Sequence, residues 1–498
     1  MSLRINTNLT ETQPASPNRP STDLHPAKGE QSARHEAFIQ TLPVELLLNI
    51  LGLLHIEWRT TANSSIPDED KSLSPISPRI LASVCSRWRD IIHSVPTFWT
   101  CVPIIVDRRQ TPLSVIRFYF EASRTLPLNV TMTRRSSSFM EEDSQEKSRV
   151  GAVMDLLRPH MSRCESLHID VIRRSSLPKI RCEDFAIAKE LKLKCREDDE
   201  MDRPPPNAAT RCEFQPSTLE VLHMTFRDFK DACERGVDWF RGVTELSLAH
   251  YAPLTREYPR GILTLYRLLG ILQTSTPCLR SLALVDMHMP IDIDGYRVQA
   301  FHFPSLKRVT LENARGDLIE HLPRALSIPI PVLKLVRCVV DFVHIDPLNA
   351  RLVLEEIGGE EYLAAFLDNW KGQTIFFQNC PTFHDEFLGW MAQPFVSEAV
   401  CHFSCPNLER LGVMKSPNFS VDCLKRVITA RREAVIKWHG DVDTKLQFDG
   451  NIKRPTSIRK LQYIGNDAPP LSAGDEQWFR DNVEEFGWGT NQVDIDDF

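Results

Sequence analysis

A short apolar pattern recurs along most of this chain and restricts how the chain can fold. The pattern is apolar-x-x-apolar-x-apolar, and five copies occur between residues 219 and 335. A proline stands two residues before the first apolar position in TPCLRSLAL, FPSLKRVTL and CPNLERLGV. Short alternating segments predict β-strands, and their recurrence predicts an array of stacked units. The middle apolar residues of the five copies are Leu222, Leu246, Leu282, Val309 and Leu333.

These middle positions are separated by 24, 36, 27 and 24 residues. Three of these steps fall within the unit of roughly 20–29 residues found in leucine-rich repeats, where each unit supplies one strand to a curved parallel sheet. The step of 36 fits one unit with a loop inserted around Tyr251–Arg260. Later steps of 42, 36 and 50 residues are too long for a regular array. The alternative is chance, because any parallel α/β protein contains some such patterns. The further copies are Cys164-x-x-Leu167-x-Ile169, Gly372-x-x-Ile375-x-Phe377, Leu408-x-x-Leu411-x-Val413 and Ile458-x-x-Leu461-x-Tyr463.

Amphipathic segments between the strands, at 147–161, 263–272 and 423–438, predict helices. We therefore predict an α/β fold for residues 101–470, an irregular leucine-rich-repeat solenoid with a curved parallel sheet and helices on its convex side. The charged run 189–203 is predicted to be a surface loop or hairpin. Residues 471–498 are predicted to form an acidic C-terminal cap and tail. The aromatic residues expected to pack on the last repeat are Trp478, Phe479, Phe486 and Trp488.

The N-terminal hundred residues follow a different pattern. Residues 1–35 are rich in polar residues and proline, which predicts disorder. Two helices with apolar residues at three- and four-residue spacing are predicted at about 42–55 and 78–94. Thr41 is a candidate cap for the first helix, and Pro43 suits its first turn. The polar segment 57–78, with three prolines, is predicted to be a solvated insertion.

Three segments of this region, LPVELLLNIL, VCSRWRDII and PTFWTCV, occur in the order of the landmarks of F-box domains. Those landmarks are a Leu-Pro start, a first helix rich in Ile and Leu, a Cys-x-x-Trp-Arg second helix and a terminal Trp. Residues 36–100 therefore resemble an F-box with an inserted loop at about 57–78. The split arrangement also resembles the F-box variant abundant in mushroom-forming fungi, whose C-terminal parts are irregular leucine-rich repeats.

The resemblance implies a substrate-recognition subunit of a Skp–cullin–F-box ubiquitin ligase, which performs no catalysis itself. The F-box would dock a Skp-type adaptor and, through it, cullin, while the repeats would bind an unidentified protein substrate. The alternatives are a scaffold whose F-box is not coupled to a ligase, and docking residues that merely pack against the repeats. So small a helical unit cannot bury all of its apolar residues, so some should face a partner. The expected adaptor-binding residues are Leu42, Pro43, Leu46, Ile50, Leu54, Val84, Cys85, Trp88, Ile91 and Trp99.

Composition restricts the function further. The net charge of -7 argues against nucleic-acid binding, and no apolar run reaches the roughly 20 residues that a membrane-spanning helix needs. Because no apolar segment follows the N-terminal charges, no secretory signal is predicted, and the 13 cysteines are expected to be reduced. We therefore predict a cytoplasmic or nuclear protein. The phosphate-binding and hydrolase motifs are absent, so we predict no enzymatic activity and no cofactor.

Three groups of polar residues are candidate sites. Cys401, His402 and Cys405, with Cys380 and His384, lack the paired spacing of a zinc site, so no metal is predicted. The other two groups are the histidines His223, His250 and His288, which could line the concave face, and Arg134–Arg135 beside Ser136–Ser138, which resembles a phosphorylatable loop. Both are more often ordinary surface features.

Overall fold

The structure, a computed structural model, describes fourteen segments of the chain. These are 42–63, 77–135, 143–178, 186–199, 218–234, 240–251, 263–291, 300–326, 329–340, 351–368, 370–396, 401–440, 456–465 and 467–490. The segment predicted to be disordered (1–35), the candidate cap Thr41, residues 64–76 of the predicted insertion and Ser136–Ser138 lie outside the described residues.

The described chain contains both helices and strands. The helices are α1 Val44–Asn63, α2 Pro78–Leu81, α3 Ser86–Ser94, α4 Leu113–Ala122, α5 Glu146–Leu157, α6 Phe226–Glu234, α7 Leu265–Ser275, α8 Gly316–Ala325, α9 Glu360–Asp368, α10 Asp385–Ala392, α11 Val421–Gly440 and α12 Ala473–Asn482. The strands are β1 Cys101–Ile105, β2 Leu128–Thr133, β3 Cys164–Arg173, β4 Glu190–Glu197, β5 Val221–Thr225, β6 Glu245–Tyr251, β7 Ser281–Met287, β8 Arg308–Glu312, β9 Val332–Val336, β10 Arg351–Glu355, β11 Thr374–Gln378, β12 Pro394–Val396, β13 Cys401–Phe403, β14 Arg410–Met414, β15 Lys460–Ile464 and β16 Glu485–Thr490.

Fourteen of these strands form one parallel sheet, and their spatial order is their order in the sequence. Each new unit therefore adds its strand beside the strand of the preceding unit, as in a solenoid. The remaining two strands, β12 and β13, form a separate antiparallel pair. The predicted parallel α/β architecture is thus confirmed.

The recurrent apolar pattern determines the register of the sheet. In the five copies between residues 219 and 335, the middle residue of each copy pairs with the middle residue of the next, as Leu222 does with Leu246 and Leu246 with Leu282. These residues are at most 1% exposed because alternate strand positions point into the core that the strands share with the helices. The other positions form the second surface of the sheet, which we call the open face. Many of them carry polar residues, but Val353, Phe376 and Ile464 form a small buried apolar cluster on this side.

The three long steps between later copies have separate causes. The step of 42 residues contains β10, a strand that was not predicted, and its Leu352 pairs with Leu333 and Ile375. The step of 36 residues contains the β12–β13 pair. The step of 50 residues contains α11, a helix of 20 residues.

One prediction for the array was wrong. The charged run 189–203 was expected to be a loop, but Glu190–Glu197 forms β4, between β3 and β5 in the sheet. Leu191, Leu193 and Cys195 are buried, whereas the charged residues alternating with them point to the open face. An interior strand tolerates these charges because only one of its two faces meets the core.

The two N-terminal helices also differ from expectation. The first helix continues to Asn63, and Trp58, assigned to a solvated insertion, is 1% exposed. The second is interrupted between α2 and α3 by a turn at 82–85. There the sulfur of Cys85 accepts a hydrogen bond from the backbone N–H of Trp88, capping α3.

Candidate docking surface

The helix α1 has two apolar faces, and only one of them is buried. Leu47, Leu51 and Trp58 are at most 1% exposed, and Leu47 and Leu51 belong to the apolar cluster that also contains residues of β1. The opposite side carries exposed apolar residues spaced by three or four positions, which places them along one stripe. These residues are Leu46 (49% exposed), Ile50 (43%), Leu53 (69%) and Ile56 (62%).

We call these four residues, together with Val84, the α1 stripe. Val84 is 59% exposed and lies in the turn between α2 and α3. The turn is held beside the start of α1, because the Arg87 guanidinium on α3 donates a 2.6 Å hydrogen bond to the carbonyl of Leu42. A second arginine, Arg89, donates to the carbonyl of Ala82 at 3.3 Å. Exposed large apolar side chains concentrated on one short unit mark a protein-binding surface.

The ten predicted docking residues fall into three groups. Leu46, Ile50 and Val84 are exposed, as is Pro43. The half-buried group comprises Leu42, Leu54, Cys85 and Trp88. Ile91 (8% exposed) and Trp99 (1%) are buried.

Trp99 is a core residue in this structure. Its indole N–H donates to the carbonyl of Ile92 at 3.0 Å. Its ring meets Phe118 and Tyr119 of α4 edge-on, with centroids 4.8 and 5.2 Å apart. A side chain so enclosed holds the helical unit against the first strand–helix unit and offers no surface to a partner. We therefore leave Trp99 and Ile91 out of the docking surface.

Sequence reasoning missed two members of the stripe, Leu53 and Ile56. The predicted helix ended near residue 55, and one broad apolar stripe was assumed, so the two faces of α1 were merged. Helical periodicity separates them, because residues 46, 50 and 53 lie on one side and residues 47, 51 and 58 on the other. Leu53 lay within the predicted helix and could have been found in this way, whereas Ile56 was missed because α1 continues past residue 55.

The open face of the sheet is a second candidate surface, and His223 lies on it. Burial lowers the pKa of His223 below its usual value, although Glu245, 3.5 Å from its Nε2, acts in the opposite direction. The contact with His223 in turn holds the pKa of Glu245 below its usual range. The pair is therefore a neutral histidine beside an ionised carboxylate at neutral pH.

The other two histidines do not form a reactive site with it. His250 Nε2 lies 2.6 Å from the carbonyl oxygen of Cys195, and its Nδ1 lies 3.3 Å from Asp286 Oδ2. Asp286 in turn accepts a 2.7 Å hydrogen bond from Asn313. These contacts tie successive units together at the carboxyl ends of the strands. His288 is exposed.

That edge of the sheet has a recurrent backbone feature. The residues at the strand ends adopt the left-handed conformation, with φ between 49° and 59°. Their side chains interact from unit to unit. Arg337, for example, donates to Asn313 at 3.3 Å and to Glu356 at 3.0 Å. The residues concerned are His250, Asp286, Asn313, Arg337, Glu356, Asn379 and Lys415.

Arg134 and Arg135 are engaged within the protein. The guanidinium of Arg134 is buried and pairs with Asp143 at 3.0 Å and Glu146 at 3.2 Å. Burial raises the pKa of Asp143, but hydrogen bonds, foremost from Arg134, outweigh it and leave the pKa below its usual value. Arg135 pairs with Asp107 at 2.8 Å. Arg134 thus joins the end of β2 to the start of α5, and Arg135 joins the ends of β1 and β2, so both have structural roles.

Cys405, one of the candidate metal ligands, is fully buried. Its thiol donates to the carbonyl of Leu367 at 3.3 Å, and burial raises its pKa to about 12. Among the described residues, no three His, Cys, Asp or Glu side chains are grouped so that they could hold a metal ion. Nor does any helix in the described segments combine the length and hydropathy needed to cross a bilayer.

Comparisons with known proteins do not identify the chain. It matches no protein-family model. A search of the curated proteins likewise finds no significant match.

Proposed function

We propose that this chain is a substrate receptor of a Skp–cullin–F-box ubiquitin ligase, with an F-box at about 36–100 and irregular leucine-rich repeats after it. The observation that carries the proposal is the α1 stripe. A short helical unit that buries one face of α1 in its own chain and leaves the other apolar face in water is suited to bind a helical partner. By resemblance, that partner is a Skp-type adaptor.

The repeat assignment is supported by three features of the array. Successive strands pair in sequence order, the middle apolar residues are in register, and a left-handed residue ends many strands. In addition, the buried thiols of Cys338 and Cys380 each donate to a carbonyl of the preceding unit, at 3.2 Å in both cases. Side chains at equivalent positions thus bridge neighbouring units, as a repeat architecture requires.

The proposed mechanism is proximity. The α1 stripe fixes the chain to the ligase, and the open face holds a substrate near the ubiquitin-charged enzyme. The rate then rises because acceptor lysines are present at a high effective concentration. No residue of this chain takes part in bond making.

The test is adaptor binding by matched variants. Leu46→Asp and Leu53→Asp place a charge on the α1 stripe, whereas Ile436→Asp places one at a position 67% exposed on α11. We expect each stripe variant to lose more than about tenfold in affinity for a purified Skp-type adaptor, since a buried unpaired charge costs several kcal/mol. Ile436→Asp should bind normally, and thermal melts should show all three variants folded.

Failure of the unmodified protein to bind the adaptor would refute the F-box assignment. Binding of the adaptor without cullin, or with cullin but without ubiquitination of any bound protein, would favour the alternative of an uncoupled scaffold. The measurements of cullin binding and ubiquitination therefore distinguish a ligase substrate receptor from an uncoupled scaffold.

A further inference from the structure

The two edges of the parallel sheet differ, and the edge formed by β1 is closed. The outward backbone N–H of Ile105 donates to the hydroxyl of Thr111 at 2.9 Å, and the carbonyl of Ile105 accepts from the N–H of Thr111 at 3.0 Å. Pro103, two residues earlier on the same edge, has no N–H to donate. The β1 edge therefore offers an incoming strand few groups with which to pair.

The edge formed by β16, at the other end of the sheet, is open. The backbone N–H of Glu485 donates to the carbonyl of Arg459 at 3.0 Å, so Glu485 and, by alternation, Gly487 face β15. The N–H and carbonyl groups of Phe486 and Trp488 point outward, and none of the described residues pairs with them. Unpaired groups along a strand edge are a template for pairing with another strand.

The side chains of β16 fit a second copy of the same strand. Antiparallel pairing centred on Gly487 joins the outward groups of the two copies and sets Phe486 of each copy opposite Trp488 of the other. Both rings are half-buried against the core, and their centroids lie 5.1 and 5.9 Å from that of Phe479 on α12. Aromatic side chains in directly opposed positions stabilise paired strands.

The charges of β16 favour this antiparallel arrangement over a parallel one. Glu484 and Glu485 are exposed at the start of the strand, whereas its second half, from Gly487 on, is uncharged. Antiparallel pairing centred on Gly487 places Glu485 opposite Gly489 of the other copy. A parallel pairing in register would place each glutamate beside the same glutamate of the other copy, and like charges in opposed positions destabilise a sheet.

The helix that precedes β16 has complementary charges on the side that faces the open edge. Trp478 of α12 points towards α11, where the Lys425 ammonium lies 5.5 Å from the centre of its ring. Helical periodicity places Glu476 and Arg480 on the opposite side, and the Arg480 guanidinium lies 5.9 Å from the centre of the Phe486 ring. Glu476 and Arg480 are exposed and pair with each other at 2.7 Å. A two-fold axis at Gly487 would bring Arg480 of each copy opposite Glu476 of the other.

We propose that β16 pairs antiparallel with β16 of a second copy of this chain, around a two-fold axis at Gly487. The dimer has one continuous sheet, and each contact occurs twice, as a two-fold interface requires. The charged faces of the two α12 helices add to the strand pairing. The dimer does not depend on the proposed function, because the α1 stripe belongs to the helical unit before β1.

The test is sedimentation velocity of the full chain over a concentration series from about 1 to 100 µM, where a dimer of modest affinity dissociates. We expect the unmodified chain to dimerise as its concentration rises. Arg480→Glu and Glu476→Arg should each weaken dimerisation by at least about tenfold, because like charges then meet across the axis. An equimolar mixture of the two variants should dimerise again, since an acidic face then meets a basic one.

The recovery in the mixture shows that both variants are folded. The double variant that carries both changes keeps opposite charges across the axis, so it should dimerise as the unmodified chain does. Arg158→Glu is the matched control, because it reverses an exposed arginine beside α5, far from β16 in the sequence. It should not change the dimer.

Disulfide cross-linking tests the register. At the axis, the two copies of residue 487 form a pair without mutual hydrogen bonds, with Cα atoms about 4.5 Å apart, a distance that a disulfide spans. Gly487→Cys should therefore give a covalent dimer under mild oxidation. Glu485→Cys should not, because its two copies lie about 14 Å apart in this register. The unmodified chain, with its exposed Cys278, measures the background.

Three results would overturn the proposal. They are an unmodified chain that stays monomeric over the whole series, a mixture of Arg480→Glu and Glu476→Arg that does not dimerise, and equal cross-linking of Gly487→Cys and Glu485→Cys. Occupation of the edge by residues 491–498 or by another protein would give the first of these results. Adaptor binding of the same variants should not change, so a failure here is distinguishable from a failure of the proposed function.

Discussion

Replacing Trp99 by Ala should unfold the junction between the helical unit and the array. The indole is 1% exposed, meets three aromatic rings and donates a hydrogen bond to the carbonyl of Ile92. Truncation of a buried Trp to Ala costs about 3–5 kcal/mol. The lost hydrogen bond adds at most about 1 kcal/mol, because the Ile92 carbonyl still accepts from the backbone N–H of Val95. Because a domain is stable by only about 5–15 kcal/mol, this loss is a large fraction of the total.

The measurement is hydrogen exchange in α1, α3 and α4, compared with urea unfolding followed by circular dichroism. We expect the free energy of exchange in these helices to fall by the whole cost of the Trp99 truncation. Strands far along the array should keep their protection, since repeat units depend mainly on their neighbours. Trp88→Ala is the control, because Trp88 is half-buried on the adjacent helix and should cost less. Equal losses for both variants, or a loss below about 1 kcal/mol for Trp99→Ala, would refute the placement of Trp99 in the core.

Three further outcomes are expected. Glu146→Ala leaves the buried guanidinium of Arg134 with one fewer carboxylate and should cost about 3–5 kcal/mol in urea titrations; a loss under about 1 kcal/mol would contradict the structural role of Arg134. Because the pKa of His223 is lower in the folded chain than the unfolded value near 6.5, stability should fall as the pH drops from about 7.5 through 6.5 towards the folded pKa. In His223→Gln the dependence of stability on pH should be weaker. An unchanged slope of melting temperature against pH in this variant would contradict the lowered pKa of His223. Arg337→Gly should stay within about 1 kcal/mol of the unmodified chain because relief of left-handed strain offsets the lost surface ion pairs, whereas Arg337→Val should be less stable by about 1–2 kcal/mol; the reverse order of unfolding midpoints would be inconsistent with a φ of 50°.

The sequence predicted the array because its core positions are regular. Leu246, Leu282 and Val309 had been assigned to equivalent positions of successive repeats, and they are paired neighbours in the sheet. The helices at 263–272 and 423–438 were found for the same reason, since their apolar residues follow helical periodicity. A pattern that both burial and geometry impose can be recognised without an alignment.

Among the strands that escaped prediction, β4 and β10 show why, because their local signal is weak. In β4, the charges of Lys192, Lys194 and Arg196 dominate the composition, and the buried alternate positions supply only three apolar residues. In β10, the sequence RLVLE has its apolar residues in a run, so the six-residue template does not match. Both strands are fixed by their neighbours on either side, which local sequence does not reveal.

Exposure was the least predictable property of the docking surface. The apolar residues of the first hundred positions could be assigned to helices, but their division between the core and the α1 stripe depends on where the chain continues. Trp99 is enclosed because α4, which follows β1, supplies Phe118 and Tyr119. A resemblance that covers only the helical unit cannot supply this information.

The shared core has a consequence for the proposed receptor. Leu47 and Leu51 of α1 belong to the same continuous apolar cluster as the strands and helices of the array, up to Val483. The α1 stripe and the open face of the array are therefore carried by one packed body and are not joined only by a flexible linker. In the proposed receptor, a substrate bound at the open face would be held in a fixed orientation relative to the adaptor, which keeps the effective concentration of nearby lysines high and limits which lysines can be reached. Substrate choice would then depend on the distance between the bound segment and an acceptor lysine as well as on the bound segment itself.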